Sequence, residues 1–170
     1  MIINRAWAMP NKNTFSIEPI EQLIYKYNTG LSVDMFANAN NLANHTNDLD
    51  PQYQTDCNMD ALEYLRTFEE WKFDTVLFDP PYSPRQVSEC YKSLDMTVNM
   101  QTTQASFWGD LKKEIARVTK PGGVVITFGW NSGGIGESYD FDIIEILLVA
   151  HGGWHNDTII TVERKREVLI

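Results

Sequence analysis

Cysteine, positive charge and long apolar runs are all scarce in this 170-residue chain, and each scarcity excludes something. Only Cys57 and Cys90 occur. They cannot build a four-cysteine zinc site, and they read as buried free thiols in a reducing compartment rather than a disulfide framework. No apolar run approaches the roughly 20 residues that a membrane span needs. The segment Met1 to Asn13 lacks the apolar core of a secretory leader, so none is expected and the expected location is the cytoplasm. Lys and Arg number 14 against 23 Asp and Glu, a net charge of −9. Phosphate contacts supply much of the affinity of nucleic-acid binders. Alone, such a chain is a poor general grip on DNA or RNA, and a local basic patch or a partner would have to supply one. Repeats, low-complexity tracts and Gly/Ser/Pro-rich linkers are also missing, so residues 1–170 read as one domain.

What is present is an ordinary globular balance, 43% hydrophobic and 22% charged, with enough length for a real core. Met1 to Ser16 is polar with scattered aromatics. Pro19 opens an expected helix to about Asn28, with Ile20, Leu23, Ile24 and Tyr27 at helical spacing and Gly30 as the stop. Leu31 to Phe36 reads as a short buried strand, Asn38 to Asn44 as a polar loop and His45 to Leu49 as a second strand. Asp60 to Phe68 reads as helix, and Asp74 to Phe78 as a buried strand running into Asp79-Pro80-Pro81-Tyr82. Pro84 to Leu94 and Ser106 to Val118 are further helices, the latter with Phe107, Leu111, Ile115 and Val118 in register. Lys120 to Gly123 is a turn, Val124 to Phe128 a strand, and Gly129 to Gly136 a Gly-rich loop. Phe141 to Ala150 and Thr158 to Glu163, parted by His151-Gly-Gly-Trp154, would form a closing antiparallel pair. Alternating strands and helices predict an α/β domain with a mainly parallel sheet, whose ligand sits at the carboxyl ends of the strands.

The sharpest chemical signal is Asp79-Pro80-Pro81-Tyr82, just past a hydrophobic strand. An exocyclic amino nitrogen, such as adenine's, is a poor nucleophile because its lone pair is delocalised into the ring. A carboxylate (Asp79) and a backbone carbonyl (Pro80) can each accept one amino hydrogen and favour a localised lone pair. Two prolines stiffen the loop, and Tyr82 can stack on the base.

At these residues the sequence resembles the amino-group methyltransferases that use S-adenosylmethionine, in particular the phage-type adenine-specific DNA methyltransferases, whose catalytic motif is Asp-Pro-Pro-Tyr. Asp34-Met35-Phe36-Ala37, followed by Asn38, is similar to the start of the family's cofactor loop, Asp-x-Phe-x-Gly-x-Gly. Asp48 falls on the acidic position that holds the cofactor ribose, with Asp50 the near alternative. Asp60-Ala61-Leu62 resembles the segment that contacts the cofactor adenine. Thr14-Phe15-Ser16-Ile17-Glu18-Pro19-Ile20 resembles the motif that packs over the methionine end. The resemblance covers residues 14 to about 130, with the motifs in family order. It implies a single-domain Rossmann-like methyltransferase fold and methyl transfer to N6 of adenine in DNA. RNA base-amino methylation is the alternative, and a non-catalytic methyltransferase-like subunit a third reading. The implied partners are nucleic acid, DNA before RNA, and a second copy or a specificity subunit. The larger members carry a target-recognition domain, and only Asp95 to Ala105 and the first dozen residues are spare here. Low specificity or a preference for single strands is therefore expected.

The chain departs from the family pattern in reading Asn38-Ala39-Asn40 where glycines are usual. Asn is the best non-glycine residue for left-handed backbone. Only about eight residues separate Phe36 from His45, short of the roughly 10–12 of a normal crossover. The first crossover helix must therefore be a single turn or irregular. Gly129 to Gly134 either borders the base pocket or is a plain loop. His151, His155 and Asp157 lack a matched further ligand, so no metal is expected. Amino methylation needs no thiol nucleophile, and Cys57 and Cys90 are assigned no chemistry. Glu163-Arg164-Lys165-Arg166 reads as a solvated charged end.

Overall fold

A computed structural model describes residues 1–81, 84–94 and 105–167. Tyr82 and most of the Asp95 to Ala105 segment lie outside the described residues. In chain order the elements are β1 (Ile2–Trp7), α1 (Glu18–Tyr27), β2 (Ser32–Asp34), β3 (His45–Thr46), α2 (Ala61–Arg66), β4 (Phe73–Phe78), α3 (Pro84–Ser93), α4 (Ala105–Val118), β5 (Thr119–Gly129), β6 (Phe141–Ala150) and β7 (Thr158–Lys165). The strands form one sheet in the order β1-β6-β7-β5-β4-β2-β3. Every neighbouring pair is parallel except those of β7, which runs antiparallel to both β5 and β6. This is the expected α/β fold with its closing antiparallel pair.

The sheet divides the core in two. Val33, Tyr64, Leu65, Phe73, Val76, Leu111 and Ile115 pack on the α2–α4 side. Phe15, Ile20, Ile24, Leu77, Ile126, Phe128 and Ile160 pack on the α1 side. Each fully buried Leu, Ile or Phe contributes about 1.5–3 kcal/mol of transfer free energy. From β2 the chain steps outward to β3 and then returns to β4 on the other side of β2. The β2/β4 boundary is therefore the switch in strand order, the place where such sheets present a crevice.

The β2–β3 crossover contains turns and no helix, as its shortness required. Asn38 adopts φ +50°, the left-handed backbone that a glycine would otherwise supply, whereas Asn40 does not. Buried Asn47 organises this stretch. Its amide donates to the carbonyls of Met35 (3.2 Å) and Met59 (2.9 Å), and its Oδ1 accepts from the Met59 N–H (3.1 Å). One side chain thus satisfies backbone groups that a helix would have paired internally.

Two elements differ from the sequence reading. Ile2–Trp7 pairs in parallel with β6 as an edge strand. Its residues are almost all exposed, so it carries no alternating apolar pattern to announce it. Lys120 to Gly123 lies inside β5 instead of forming a separate turn. There the register jumps from Phe73 opposite Thr119 to Thr75 opposite Val124, so β5 bulges. Buried Glu145 of β6 ties β1 and α1 to the sheet, accepting from Lys26 Nζ (2.6 Å), Tyr27 OH (2.6 Å) and Asn4 Nδ2 (3.0 Å).

Candidate active site

Asp79, Pro80 and Pro81 follow β4 directly and are half-buried. Pro80 and Pro81 stand between two clefts, and Asp79 faces the first. The first, of about 330 Å³, opens over the carboxyl ends of β2, β3 and β4. Phe36, Asn38, Asp48, Leu49, Met59, Asp60 and Ala61 line it, with Asp79, Pro80 and Pro81 on one wall. Val87 and Cys90 of α3 and Phe107 and Trp108 of α4 complete it. The second cleft, of about 260 Å³, lies on the other side of the same loop. Pro80, Pro81 and Trp108 are shared, and Lys112, Thr127, Trp130, Asn131 and Gly134 close it. The prolines are thus a stiff partition between an acidic, partly apolar cleft and an aromatic one.

The first cleft has an acidic floor. Asp48 Oδ2 accepts from the Asn38 N–H and Oδ1 from the Asp50 N–H, both at 2.9 Å. Burial pushes the Asp48 carboxyl above its usual range, and these two hydrogen bonds partly offset it. Asp34, at the end of β2, is buried below, with Oδ1 accepting from the Phe36 N–H (3.0 Å). Burial holds its carboxyl well above the carboxylate range, and the charges of Asp79 and Asp48 add to the shift. Asp48, Asp60 and Asp79 give the cleft its acidic lining, while burial holds the Asp34 carboxyl beneath it towards the neutral form.

Of the residues singled out in the sequence, Phe36, Asn38, Asp48, Asp60 and Ala61 meet Asp79, Pro80 and Pro81 in one cleft. Asp60 also caps α2, its Oδ1 accepting from the Leu62 (2.9 Å) and Glu63 (3.3 Å) N–H groups. Asp34 and Ala37 are buried beneath the cleft and support it instead of lining it. Phe15 and Pro19 do not reach it. The Phe15 ring packs on Phe128, 4.7 Å between centroids, in the α1-side core, and Pro19 belongs to the first turn of α1. Thr14 is the residue of that segment that lines the cleft. Asp50 does not line it. Tyr82 lies outside the described residues.

The Gly129 to Gly136 loop borders the second cleft through Gly129, Trp130, Asn131 and Gly134. It is held by Glu163 of β7, whose fully buried carboxylate accepts from the N–H groups of Ile135 (2.6 Å) and Gly136 (2.9 Å). Burial raises the Glu163 carboxyl, with the two hydrogen bonds working in the opposite direction. The reading of 163–166 as a solvated end is therefore corrected. Glu163 is interior, and Lys165 Nζ donates to the carbonyls of Ala116 (2.6 Å) and Thr119 (2.9 Å). The expected burial of the cysteines is corrected too: both are free thiols, as expected, but exposed. Cys90 borders the first cleft, where burial raises its thiol pKa. Among the described residues no three His, Cys, Asp or Glu side chains cluster as metal ligands. His151 instead contacts the Ala8 carbonyl (2.9 Å) and Thr158 Oγ1 (2.7 Å). No described helix is long and apolar enough to cross a membrane.

Sequence reasoning missed Glu163 and Trp108. Glu163 sat in a charge run, although a Gly-rich loop with unpaired N–H groups needs an acceptor. Trp108 sat on the apolar face of a helix, where large aromatics are ordinarily core.

No family model matches the chain, and no curated protein matches it. Solved structures do. A Burkholderia thailandensis 1,6-didemethyltoxoflavin-N1-methyltransferase, holding its substrate and S-adenosylhomocysteine, superposes with TM-score 0.56 at 11% identity over 88% of this chain and 76% of that one. The N-methyltransferase NodS of Bradyrhizobium japonicum, with S-adenosylhomocysteine, gives 0.56 at 12% over 92% and 90%. TrmN of Thermus thermophilus gives 0.55 at 15% over 90% of this chain, which spans 50% of TrmN. At these identities the likeness is one of fold: the chain has the Rossmann-like α/β architecture seen in these methyltransferases.

Proposed function

We propose that the protein is an S-adenosylmethionine-dependent methyltransferase acting on the exocyclic N6 amino group of adenine in DNA. The observation that carries the reading is the position of Asp79-Pro80-Pro81 at the switch in strand order, with Asp79 on the first cleft and the two prolines shared with the second. Two of the solved structures that share the fold were crystallised with S-adenosylhomocysteine.

The residues of the first cleft fit the cofactor. Asp48, a carboxylate at the end of β3, suits a ribose diol, as acidic residues do in dinucleotide sites. Leu49, Met59, Ala61 and Val87 offer apolar surface to an adenine ring, and the acidic side chains of Asp48, Asp60 and Asp79 that line the cleft suit a sulfonium. When bound, the cofactor supplies an electrophilic methyl group. The chain supplies orientation. In the second cleft Trp108 and Trp130 give a target base aromatic surface. Its amino group would reach past Pro80 and Pro81 to the edge of the first cleft, where Asp79 accepts one amino hydrogen and the Pro80 carbonyl the other. This localises the nitrogen lone pair and directs it into the first cleft. Fixing that geometry is the main source of acceleration, since well-oriented intramolecular reactions gain up to about 7–11 kcal/mol. In duplex DNA the target adenine must leave the stack to enter the cleft.

The test is transfer of labelled methyl from S-adenosylmethionine to DNA and to RNA, with nucleoside identification and Asp79→Ala as control. N6-methyladenine in DNA, lost in the variant, is the expected result. Label in RNA alone would move the substrate to RNA. No label with intact cofactor binding, or no cofactor binding, would leave a non-catalytic subunit, a reading favoured by the glycine-poor Asn38-Ala39-Asn40 loop.

A further inference from the structure

A third cleft, of about 390 Å³, adjoins both others, sharing Thr14 and Gln86 with the first. Trp130 lines both it and the second. It lies between the chain around Asn11 and the β6–β7 loop, and it carries Trp154, His155 and Asn156 on its walls. The loop is anchored at its base. His151 is buried and bonded to Ala8 and Thr158, and the Ala8 N–H donates to the Ala150 carbonyl (3.1 Å). Beyond that anchor Gly152 and Gly153 take φ +70° and +59° in succession, a turn that side-chain-bearing residues adopt poorly. Its product is Trp154, entirely exposed at the tip, with Trp130 42% exposed at the inner end of the same cleft. No Lys or Arg lines the cleft among the described residues, and the chain carries net charge −9.

The anchored loop presents an exposed aromatic ring beside a cleft that borders both the first cleft and the second, next to the proposed base site. We propose that the Trp130–Trp154 cleft binds the bases flanking the target in single-stranded nucleic acid, by stacking. This rests on the methyltransferase reading and adds the strand state of its substrate. Aromatic stacking is sequence-tolerant because every base has a π-face, whereas duplex bases are already stacked on each other and cannot use these rings. The dearth of cations in the cleft makes the binding weakly salt-dependent, because few counterions are released.

The experiment follows a labelled oligonucleotide of about 12 nucleotides, within the usual site sizes for such proteins, by fluorescence anisotropy. Single-stranded DNA, single-stranded RNA and the DNA duplex are compared for the wild type, Trp154→Ala and Trp154→Phe. Trp154→Ala should weaken single-strand binding about 5- to 150-fold, from the ~1–3 kcal/mol per stacked base. Trp154→Phe should restore most of it, and the duplex should bind more weakly than the single strand. Wild-type affinity should fall by less than about tenfold between about 50 and about 200 mM salt. Whichever of DNA and RNA binds more tightly identifies the strand. Unchanged affinity in Trp154→Ala, preference for duplex, a steeper salt loss or no oligonucleotide binding each overturns the proposal. Folding is checked by S-adenosylhomocysteine thermal shift, which an exposed Trp154 should not influence. Methyl transfer is not needed for the readout. Trp154-dependent binding without transfer would refute catalysis and keep the surface, and transfer insensitive to Trp154 would do the reverse.

Discussion

Gly134→Ala isolates the clamp that holds the aromatic loop. Gly134 has φ +53°, and a Cβ placed there would lie closer than 3.0 Å to both oxygens of Glu163. The left-handed backbone costs a residue with a side chain roughly 1–2 kcal/mol. The Glu163 carboxylate would also have to move. It is fully buried, and moving it stretches its bonds to the Ile135 and Gly136 N–H groups. Hydrogen bonds to charged groups contribute about 1.5–3 kcal/mol each, so losing even one brings the expected loss to about 2.5–5 kcal/mol. Gly122→Ala is the internal control. Gly122 has φ +76°, but its Cβ would come no nearer than 3.6 Å to the exposed Glu167 side chain. It should lose only the backbone component, roughly 1–2 kcal/mol. For a chain of this size each kcal/mol moves Tm by about 2–4 °C, so thermal unfolding at neutral pH resolves the two variants. Equal losses would refute the clamp. A large loss in Gly134→Ala alone should also come with weaker substrate binding, because Trp130 and Asn131 of the same loop border the second cleft.

Two further outcomes follow from groups already described. Burial raises the carboxyl pKa of Asp48, which lines the first cleft, so this group is protonated at acidic pH and ionises as pH rises through the raised value. Ionised, it attracts a sulfonium and has no such preference for a neutral thioether. Calorimetric affinity for S-adenosylmethionine relative to S-adenosylhomocysteine should therefore grow as pH rises from the acidic range to neutrality, and a constant ratio would remove Asp48 from recognition of the sulfonium. Thr127 and Thr161 face each other across β5 and β7, and the hydroxyl oxygen of each is buried with no hydrogen-bond partner among the described residues. Thr161→Val should leave stability unchanged or raise it by up to about 1 kcal/mol in urea titration, because no made bond is lost. A clear loss would mean that the hydroxyl has a partner.

Much of the molecule was legible because the signal was local. Pro19 with its apolar spacing announces α1, Asp60 announces the start of α2, and the apolar run to Phe78 announces β4. The expected closing pair is β6 and β7, and the short Phe36-to-His45 spacing correctly excluded an ordinary crossover helix. The Asp79 motif was visible because it needs only its own residue types after a strand. Other features were not local. β1 has no buried face, so no pattern marks it, and only its pairing with β6 makes it a strand. Phe15 carries the letters of a cofactor motif, yet its ring packs on Phe128 on the α1 side of the sheet.

By itself the sequence determined the class of fold, the order of its main elements after β1 and the candidate chemistry of Asp79, because hydrophobic period and turn residues act over a few neighbours. Only the tertiary structure decided which residues share a cleft. It brought Asp34 of β2 and Asp48 beyond β3 within electrostatic reach, with Asp79 above Asp34, and set Glu163 under a loop 27 residues away in sequence. It also left Trp154 in water while Trp108 became a wall between two clefts. Those outcomes depend on strand order and on what is left over to cover each surface, and burial of that kind belongs to the whole sheet rather than to any window of the chain.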